Sequence, residues 1–295
     1  MNPRIFVLGT GGTISCTHDS RGDLIPTLST QDLVDQAGLT NITARDILQL
    51  DSSSITLHHI DCILAAIMHA HQEGADRVVV LHGTDTMEET AMAADRLLPP
   101  DVCVTFTGAQ RPADDPHPDG PDNLAFAARC NEPLPCIAFN DEIIPAYGAT
   151  KVHTSQDAAF ASSLSTPASE VRPPAHSWGD AIPQLDGLTV DIVPAYAGAD
   201  ASLIKRGADG YVIEALGSGN VPAAMEASLR SLDVPWVVCS RVPFGGVSFT
   251  YGGSGGGAEL ASIGARSGGE LRPSQARMQL LCELAARRSR EAGED

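Results

Sequence analysis

The stretch that decides how this chain folds is IFVLGTGGTIS, residues 5–15. Four apolar residues run directly into a turn that holds three glycines and two threonines. A short apolar run with a glycine stop predicts a buried strand. The turn behind it offers almost no side-chain volume to a core, so it sets the Thr10 and Thr13 hydroxyls beside bare backbone. Glycine-rich turns after a first strand often cradle phosphate. Here GxGxxG is absent, because position 14 is isoleucine, and no GK[ST] follows, so neither the dinucleotide nor the P-loop pattern is met.

Outward from this stretch, strand-like and helix-like segments alternate over residues 1–160. TQDLVDQAG (30–38) reads as a helix capped by Ser29 or Thr30 and stopped at Gly38. DILQL (46–50) reads as a second strand. In the next segment Leu57, Ile60, Leu64, Ile67 and His71 recur at helical spacing, with Gly74 as the stop. RVVVL (77–81) is apolar throughout and β-branched, which predicts a strand buried on both faces. MEETAMAADRLL, VCVTFTGA, PDNLAFAARC and CIAFND continue as helix, strand, helix, strand. Such alternation predicts an α/β fold with parallel strands and crossover helices on both faces, a doubly wound sheet. We read residues 1–165 as this larger N-terminal domain, 166–187, rich in Pro, Ser and Ala, as a linker, and 188–295 as a smaller C-terminal α/β domain. Strands TVDIVPAY, GYVIEAL and PWVVCSRV and helices around PAAMEASLRSL and SQARMQLLCELAARRSR build the latter. YGGSGGGAEL (251–260) reads as a flexible loop.

The chain carries 19 Lys and Arg against 37 Asp and Glu, a formal charge of −18. Phosphate and anionic lipid are repelled by such a surface, so nucleic acid and membrane are not expected partners. The first residues hold no basic segment followed by a long apolar one and read as the first strand rather than a signal peptide. No stretch approaches the roughly 20 apolar residues of a membrane span. Seven cysteines, with no CxxC pair, predict reduced thiols and a cytoplasmic protein.

In an open parallel sheet, ligands bind beyond the carboxyl ends of the strands. Three strands deliver polar residues there: Thr10 and Thr13 after the first, Asp51, Ser52, Ser53 and Ser54 after DILQL, and His82, Thr84 and Asp85 after RVVVL. A Thr or Ser oxygen attacks a carbonyl when a neighbour takes its proton. Gly11 and Gly12 let a substrate approach the backbone and leave N–H groups to hold a negative oxygen, a contribution of roughly 2.7–4 kcal/mol per donor. The rim therefore points to acyl transfer. Each segment alone has a plainer reading: DSSS and the start of TMEETA both suit helix caps.

The combination is more specific. LGTGGTI (8–14) and LHGTDTMEETA (81–91) resemble the two signature motifs of the bacterial-type asparaginase/glutaminase family. DSSSIT, TGAQRP, DGPDNL, FND, ATKVHTSQDAAF, GYVIEALGSGNVP, SRVPFGG and LRPSQARMQLL extend the likeness in order over nearly the whole chain. The resemblance implies a larger doubly wound, flavodoxin-like domain and a smaller C-terminal α/β domain. It implies hydrolysis of L-asparagine, and more slowly L-glutamine, to the amino acid and ammonia, with no metal and no organic cofactor. Thr13 would be the nucleophile. Thr84, Asp85 and Lys151 would form the polar group behind the scissile amide. Ser52 would hold the substrate α-carboxylate and Asp85 its α-ammonium, with Gly12, Asp51 and Ser53 beside them. Asn220 would help complete the site, in a homodimer or homotetramer with active sites near the subunit interface.

One position departs from the family pattern. The lid after the first motif usually carries a tyrosine that bonds the nucleophilic threonine. The matching stretch is THDSRGDLIPTLS (17–29), and the aligned residue is Leu24, which cannot donate a hydrogen bond. Water, Thr17 or Ser20 would have to substitute, or turnover falls. This keeps open a binding or sensor protein that has lost turnover. An ammonia-releasing subunit of a tRNA-dependent amidotransferase is a second alternative; such subunits carry an extra N-terminal domain, and here the first strand begins within a few residues of the start. His58, His59, His69 and His71 lack the i, i+4 pairing of helical metal ligands, and DDPHPDGPDN (114–123) lacks EF-hand spacing. That loop is expected to support the rim through Asp119 and Asn123. Cys16 has no histidine recognisably paired with it.

Overall fold

The computed structural model describes residues 3–174 and 181–293. The chain divides into two compact units, one formed by residues 1–162 and 173–186 and the other by 163–172 and 187–295. Within the expected linker, residues 175–180 lie outside the described residues.

The first unit contains β1 (Ile5–Gly11), β2 (Cys16–His18), β3 (Leu24–Pro26), α1 (Thr30–Gln36), β4 (Ile42–Leu50), α2 (Leu57–Gln72), β5 (Arg77–Leu81), α3 (Met87–Leu97), β6 (Val104–Thr107), α4 (Gly120–Arg129), β7 (Cys136–Phe139), β8 (Glu142–Pro145), β9 (Ala149–Lys151) and β10 (Phe160–Ser162). Its main sheet has the order β4-β1-β5-β6-β7-β8. The first five strands are parallel, and β8 returns antiparallel to β7. That return is a tight turn in which Asn140 and Asp141 take left-handed φ values of 50° and 59°, as a two-residue hairpin requires. The register Ile5↔Arg77 to Gly9↔Leu81 brings the ends of β1 and β5 level. The chain turns to β4 on one side of β1 and then to β5 on the other, so the topological switch point of this flavodoxin-type order lies between β1 and β5.

All seven residues of β1 are buried, as are Val78, Val79, Val80 and Leu81 of β5. Val7, Val79 and Leu81 pack with Leu33 and Val34 of α1 and Leu124 and Ala127 of α4 on one face. Ile60, Ile63, Leu64 and Ile67 of α2 are buried beneath the other. Both α1 and α2 open with capping boxes, Ser29 with Asp32 and Thr56 with His59. Glycines in left-handed conformation follow both helices, Gly38 at φ 64° and Gly74 at φ 87°.

The second unit comprises α5 (Ala168–Val171), β11 (Val190–Pro194), β12 (Gly210–Ala215), α6 (Ala223–Arg230), β13 (Trp236–Ser240), α7 (Gly257–Ser262), β14 (Arg266–Ser267) and α8 (Pro273–Gly293). Its sheet, β11-β12-β13-β14, is parallel throughout. Tyr211, Ile213, Met225, Leu229, Trp236, Val238 and Leu260 form its core. The glycine-rich stretch expected as a flexible loop contains the start of α7. Its first residue sits where a side chain would strike Phe249, and its N–H is held by the Asn220 side chain at 3.0 Å, so tertiary contacts outweigh poor helix propensity there.

Candidate active site

Two glycines bring three chain segments together. Gly11 and Gly12 adopt φ values of 99° and 81°, conformations that strain any residue with a Cβ. A Cβ on Gly11 would lie 2.4 Å from the Leu50 carbonyl oxygen, and one on Gly12 would lie 2.4 Å from Cα of Gly83. The Gly12 N–H donates to the Leu50 carbonyl at 3.0 Å. On the far side, a Cβ on Gly83 would fall 2.5 Å from Oγ of Ser52. The ends of β1, β4 and β5 therefore abut through bare backbone, and GTGGT, DSSS and HGTDT meet at one place.

Thr13 opens a short 3-10 turn, residues Thr13–Ser15, and is half-buried. The Gly12 carbonyl accepts the Ser15 N–H at 3.0 Å and its hydroxyl at 2.9 Å, which fixes the backbone on either side of Thr13. The Thr13 hydroxyl has no protein partner among the described residues. Thr10 is different: its buried hydroxyl donates to the Leu81 carbonyl at 2.9 Å and ties β1 to β5.

Ser52 is buried and accepts the Asp85 N–H at 3.2 Å, while its own carbonyl accepts the Thr86 hydroxyl at 2.9 Å. Lys151, at the end of β9, places Nζ 2.8 Å from the Thr84 hydroxyl and 2.8 Å from Oδ1 of Asp85. The Lys151 side chain is 20% exposed and that of Asp85 57%. An ion pair this open to water contributes about 0–1 kcal/mol to stability, so its consequence is orientation. The ammonium is pointed at Thr84, and the outer carboxylate edge of Asp85 faces solvent. Thr84 thus accepts from Lys151 and turns its own proton toward Oε1 of Gln110 at 3.4 Å. Asp51 accepts the Ser53 N–H at 3.1 Å, and both residues are exposed. Asn220 belongs to the second unit, where it caps α7.

Glu88 and Gln110 are residues that sequence reasoning did not single out. Glu88, buried on α3, accepts the Lys151 N–H and seats β9. Gln110 donates to the Gln156 carbonyl at 3.1 Å. His82, expected on the rim, is instead fully buried between β5 and α3, because both its ring nitrogens find partners inside, and burial holds its pKa down to about 4. Asp119 accepts the N–H groups of Gln110 and Arg111, each at 2.8 Å, and Asn123 donates to the Gly108 carbonyl at 3.0 Å. The loop expected to support the rim is therefore tied to the turn after β6.

The stretch expected as a lid forms the β2–β3 hairpin, pairing Cys16↔Pro26, Thr17↔Ile25 and His18↔Leu24. It is anchored by Ala113 N–H to the Cys16 carbonyl at 2.9 Å and by His18 N–H to Asp114 at 2.8 Å. The Leu24 side chain is exposed, and the Thr17 hydroxyl is engaged by Thr27 at 2.9 Å. Among the described residues, no group of three or more His, Cys, Asp or Glu is arranged to hold a metal ion, and no helix is long and apolar enough to cross a membrane.

Fold and site together define a two-unit α/β protein with hydroxyls, carboxylates and one amine gathered at the switch point of its larger sheet. Comparison with known proteins gives that class a family. The model of the asparaginase N-terminal domain matches residues 4–180, and that of the glutaminase/asparaginase C-terminal domain matches residues 189–295. The chain belongs to the asparaginase/glutaminase family. It is 34% identical to a Deinococcus radiodurans protein described as "Probable L-asparaginase", over 98% of this chain and 95% of that one. It is 30% identical to a glutamyl-tRNA(Gln) amidotransferase component from Halobacterium salinarum, over 96% of this chain and 75% of that one. Among solved structures it resembles the thermostable L-asparaginase from Thermococcus kodakarensis, with a TM-score of 0.79, 27% identity, and coverage of 95% and 92%.

Proposed function

We propose that the chain is an L-asparaginase, hydrolysing L-asparagine, and L-glutamine more slowly, to the amino acid and ammonia through an acyl-enzyme on Thr13. The observation that carries this reading is Lys151 Nζ seated between the Thr84 hydroxyl and Asp85, on the rim where Gly12 abuts Gly83. Thr13 Oγ attacks the side-chain amide carbon, and its proton is relayed through the Thr84 hydroxyl to Lys151 Nζ, which acts in its neutral amine form. The C–N bond breaks, and the leaving nitrogen takes up a proton and departs as ammonia. Water then hydrolyses the ester, releasing the acidic amino acid and restoring the hydroxyl. Ser52 binds the substrate α-carboxylate and Asp85 its α-ammonium, a single anion suited to one cation. Gly12, Asp51, Ser53 and Asn220 complete the proposed binding set. The enzyme works as a homodimer or homotetramer. All seven cysteines are free, which supports a cytoplasmic setting.

A second reading, an amino-acid-binding protein without turnover, is favoured by one observation: Leu24 offers no hydroxyl where the family lid carries tyrosine. Ammonia release from L-asparagine and L-glutamine, run beside thermal shift with L-aspartate, separates the two. Release from L-asparagine supports the first reading. A thermal shift with no release from either amide overturns it in favour of the second.

A further inference from the structure

His82 stands at the end of β5, and the mechanism above leaves it without a task. Its side chain is entirely excluded from water and lies edge-on to Phe106, with ring centroids 6.4 Å apart and planes at 68°. A plain core residue at this position would be cheaper to bury, because a polar ring loses its hydration unless both nitrogens find partners. Both do. Nδ1 lies 2.7 Å from the Gly83 carbonyl oxygen, and Nε2 lies 2.9 Å from the Thr90 hydroxyl on α3. A carbonyl can only accept, so Nδ1 carries the ring proton. Nε2 is then the acceptor, and Thr90 donates to it. The pattern of partners leaves a single tautomer.

The bond to Gly83 has a consequence one residue further on. No peptide in the described residues is cis. In a trans peptide the C=O and the following N–H point in opposite directions. The Gly83 carbonyl is drawn inward to the imidazole, so the Thr84 N–H is turned away from it. That N–H has no protein acceptor among the described residues, although Thr84 is buried. Gly83 is also the residue whose Cα abuts Gly12 and whose missing Cβ leaves room for Ser52. A glycine in such a turn has little torsional preference of its own, so something outside it must set the plane of the Gly83–Thr84 peptide.

We propose that His82 is a positioning residue, whose Nδ1–H clamps the Gly83–Thr84 peptide so that Thr84 presents its N–H and hydroxyl to the reacting amide. The ring touches no substrate and transfers no proton. Thr90 donates to the far ring nitrogen and satisfies it, while the Gly83 carbonyl fixes the tautomer. The proposal rests on the amidohydrolase reading above and deepens it, by naming what aligns one of its catalytic groups.

Side-chain geometry supplies the test. The amide nitrogen of asparagine falls near the position of histidine Nδ1, and that of glutamine falls near Nε2. His82→Asn therefore keeps the donor to Gly83 and loses the partner of Thr90. His82→Gln does the reverse. Thr90→Val removes the outer tether and leaves the ring donor in place. Each variant is first shown to be folded by urea unfolding. Then kcat and KM are measured with L-asparagine, and the affinity for L-aspartate by calorimetry. Small misplacement of a catalytic group costs on the order of 10²-fold, so His82→Gln should lose kcat by about that factor with KM and aspartate affinity nearly unchanged. His82→Asn and Thr90→Val should keep kcat within about threefold of the parent, a change below 1 kcal/mol. Asparagine and glutamine variants equal in kcat, differing only in unfolding midpoint, overturn the clamp and leave the amidohydrolase reading standing. A parent chain that releases no ammonia from either amide overturns both.

Discussion

Lowering the pH should weaken this fold through a single buried imidazole. His82 is held neutral by burial, with a pKa of about 4 against the usual 6.5. The unfolded chain binds a proton at this site below pH 6.5, and the folded chain does not until about pH 4. Stability from keeping the ring neutral is therefore complete above pH 6.5 and is lost as pH falls toward about 4, a total of about 3 kcal/mol. Linkage gives the course: about 1 kcal/mol is lost by pH 5.5 and about 2–3 by pH 4.5. Carboxylates titrate in the lower part of this range too, so the parent must be compared with His82→Asn, which has no imidazole at this position. Urea unfolding of both, in steps from pH 7.5 to 4.5 at fixed protein concentration, isolates the term. The stability difference between them should change by about 2–3 kcal/mol across the range, moving against the parent as the pH falls. Two curves that stay parallel would show that His82 is not the buried neutral group described here.

Three further outcomes follow from the same geometry. Lys151→Met removes the ammonium from Thr84 and Asp85 but keeps the backbone bond to Glu88; kcat on L-asparagine should fall on the order of 10²–10⁴-fold with circular dichroism unchanged, and activity near that of the parent would contradict the arrangement. Gly83→Ala puts a Cβ 2.5 Å from Ser52 Oγ, an overpacking of about 1–3 kcal/mol that displaces Ser52, so KM for L-asparagine should rise; an unaltered KM would contradict the role given to Ser52. Asp61 on α2 accepts the N–H groups of Leu185 and Asp186 at 2.9–3.0 Å while buried, so Asp61→Ala should cost about 1–3 kcal/mol in urea unfolding and leave kcat as it was.

The sequence reading succeeds where hydrophobic pattern and turn chemistry agree. IFVL and RVVVL are too apolar and too short to be anything but buried strands, and their order around a glycine turn predicts the parallel sheet. Ser29 and Thr56 announce helix starts because their side chains satisfy free N–H groups. It falls short where the third dimension decides. The β2–β3 hairpin uses strands of three residues each, below the length at which alternation shows. Strand β4 begins at Ile42, earlier than DILQL suggests, because Ile42–Asp46 pair with β1 through their backbone despite a mixed polar sequence. Helix α7 forms in a glycine-rich stretch because Phe249 and Asn220 hold it. At the site, threonines and carboxylates at strand ends were visible as chemistry. The inward turn of His82 was not: it follows a run buried on both faces, where parity gives no direction, and its partner Thr90 lies eight residues on, one turn into the next element.

Replacing Thr13 by alanine removes one hydroxyl and leaves the Gly12 carbonyl bonds to Ser15 in place. The most direct measurement is ammonia release from L-asparagine by Thr13→Ala, beside its affinity for L-aspartate. A nucleophilic Thr13 predicts a folded variant that still binds L-aspartate and releases no ammonia above the uncatalysed background. Turnover within about tenfold of the parent, a change of only about 1.4 kcal/mol in the barrier, would contradict it.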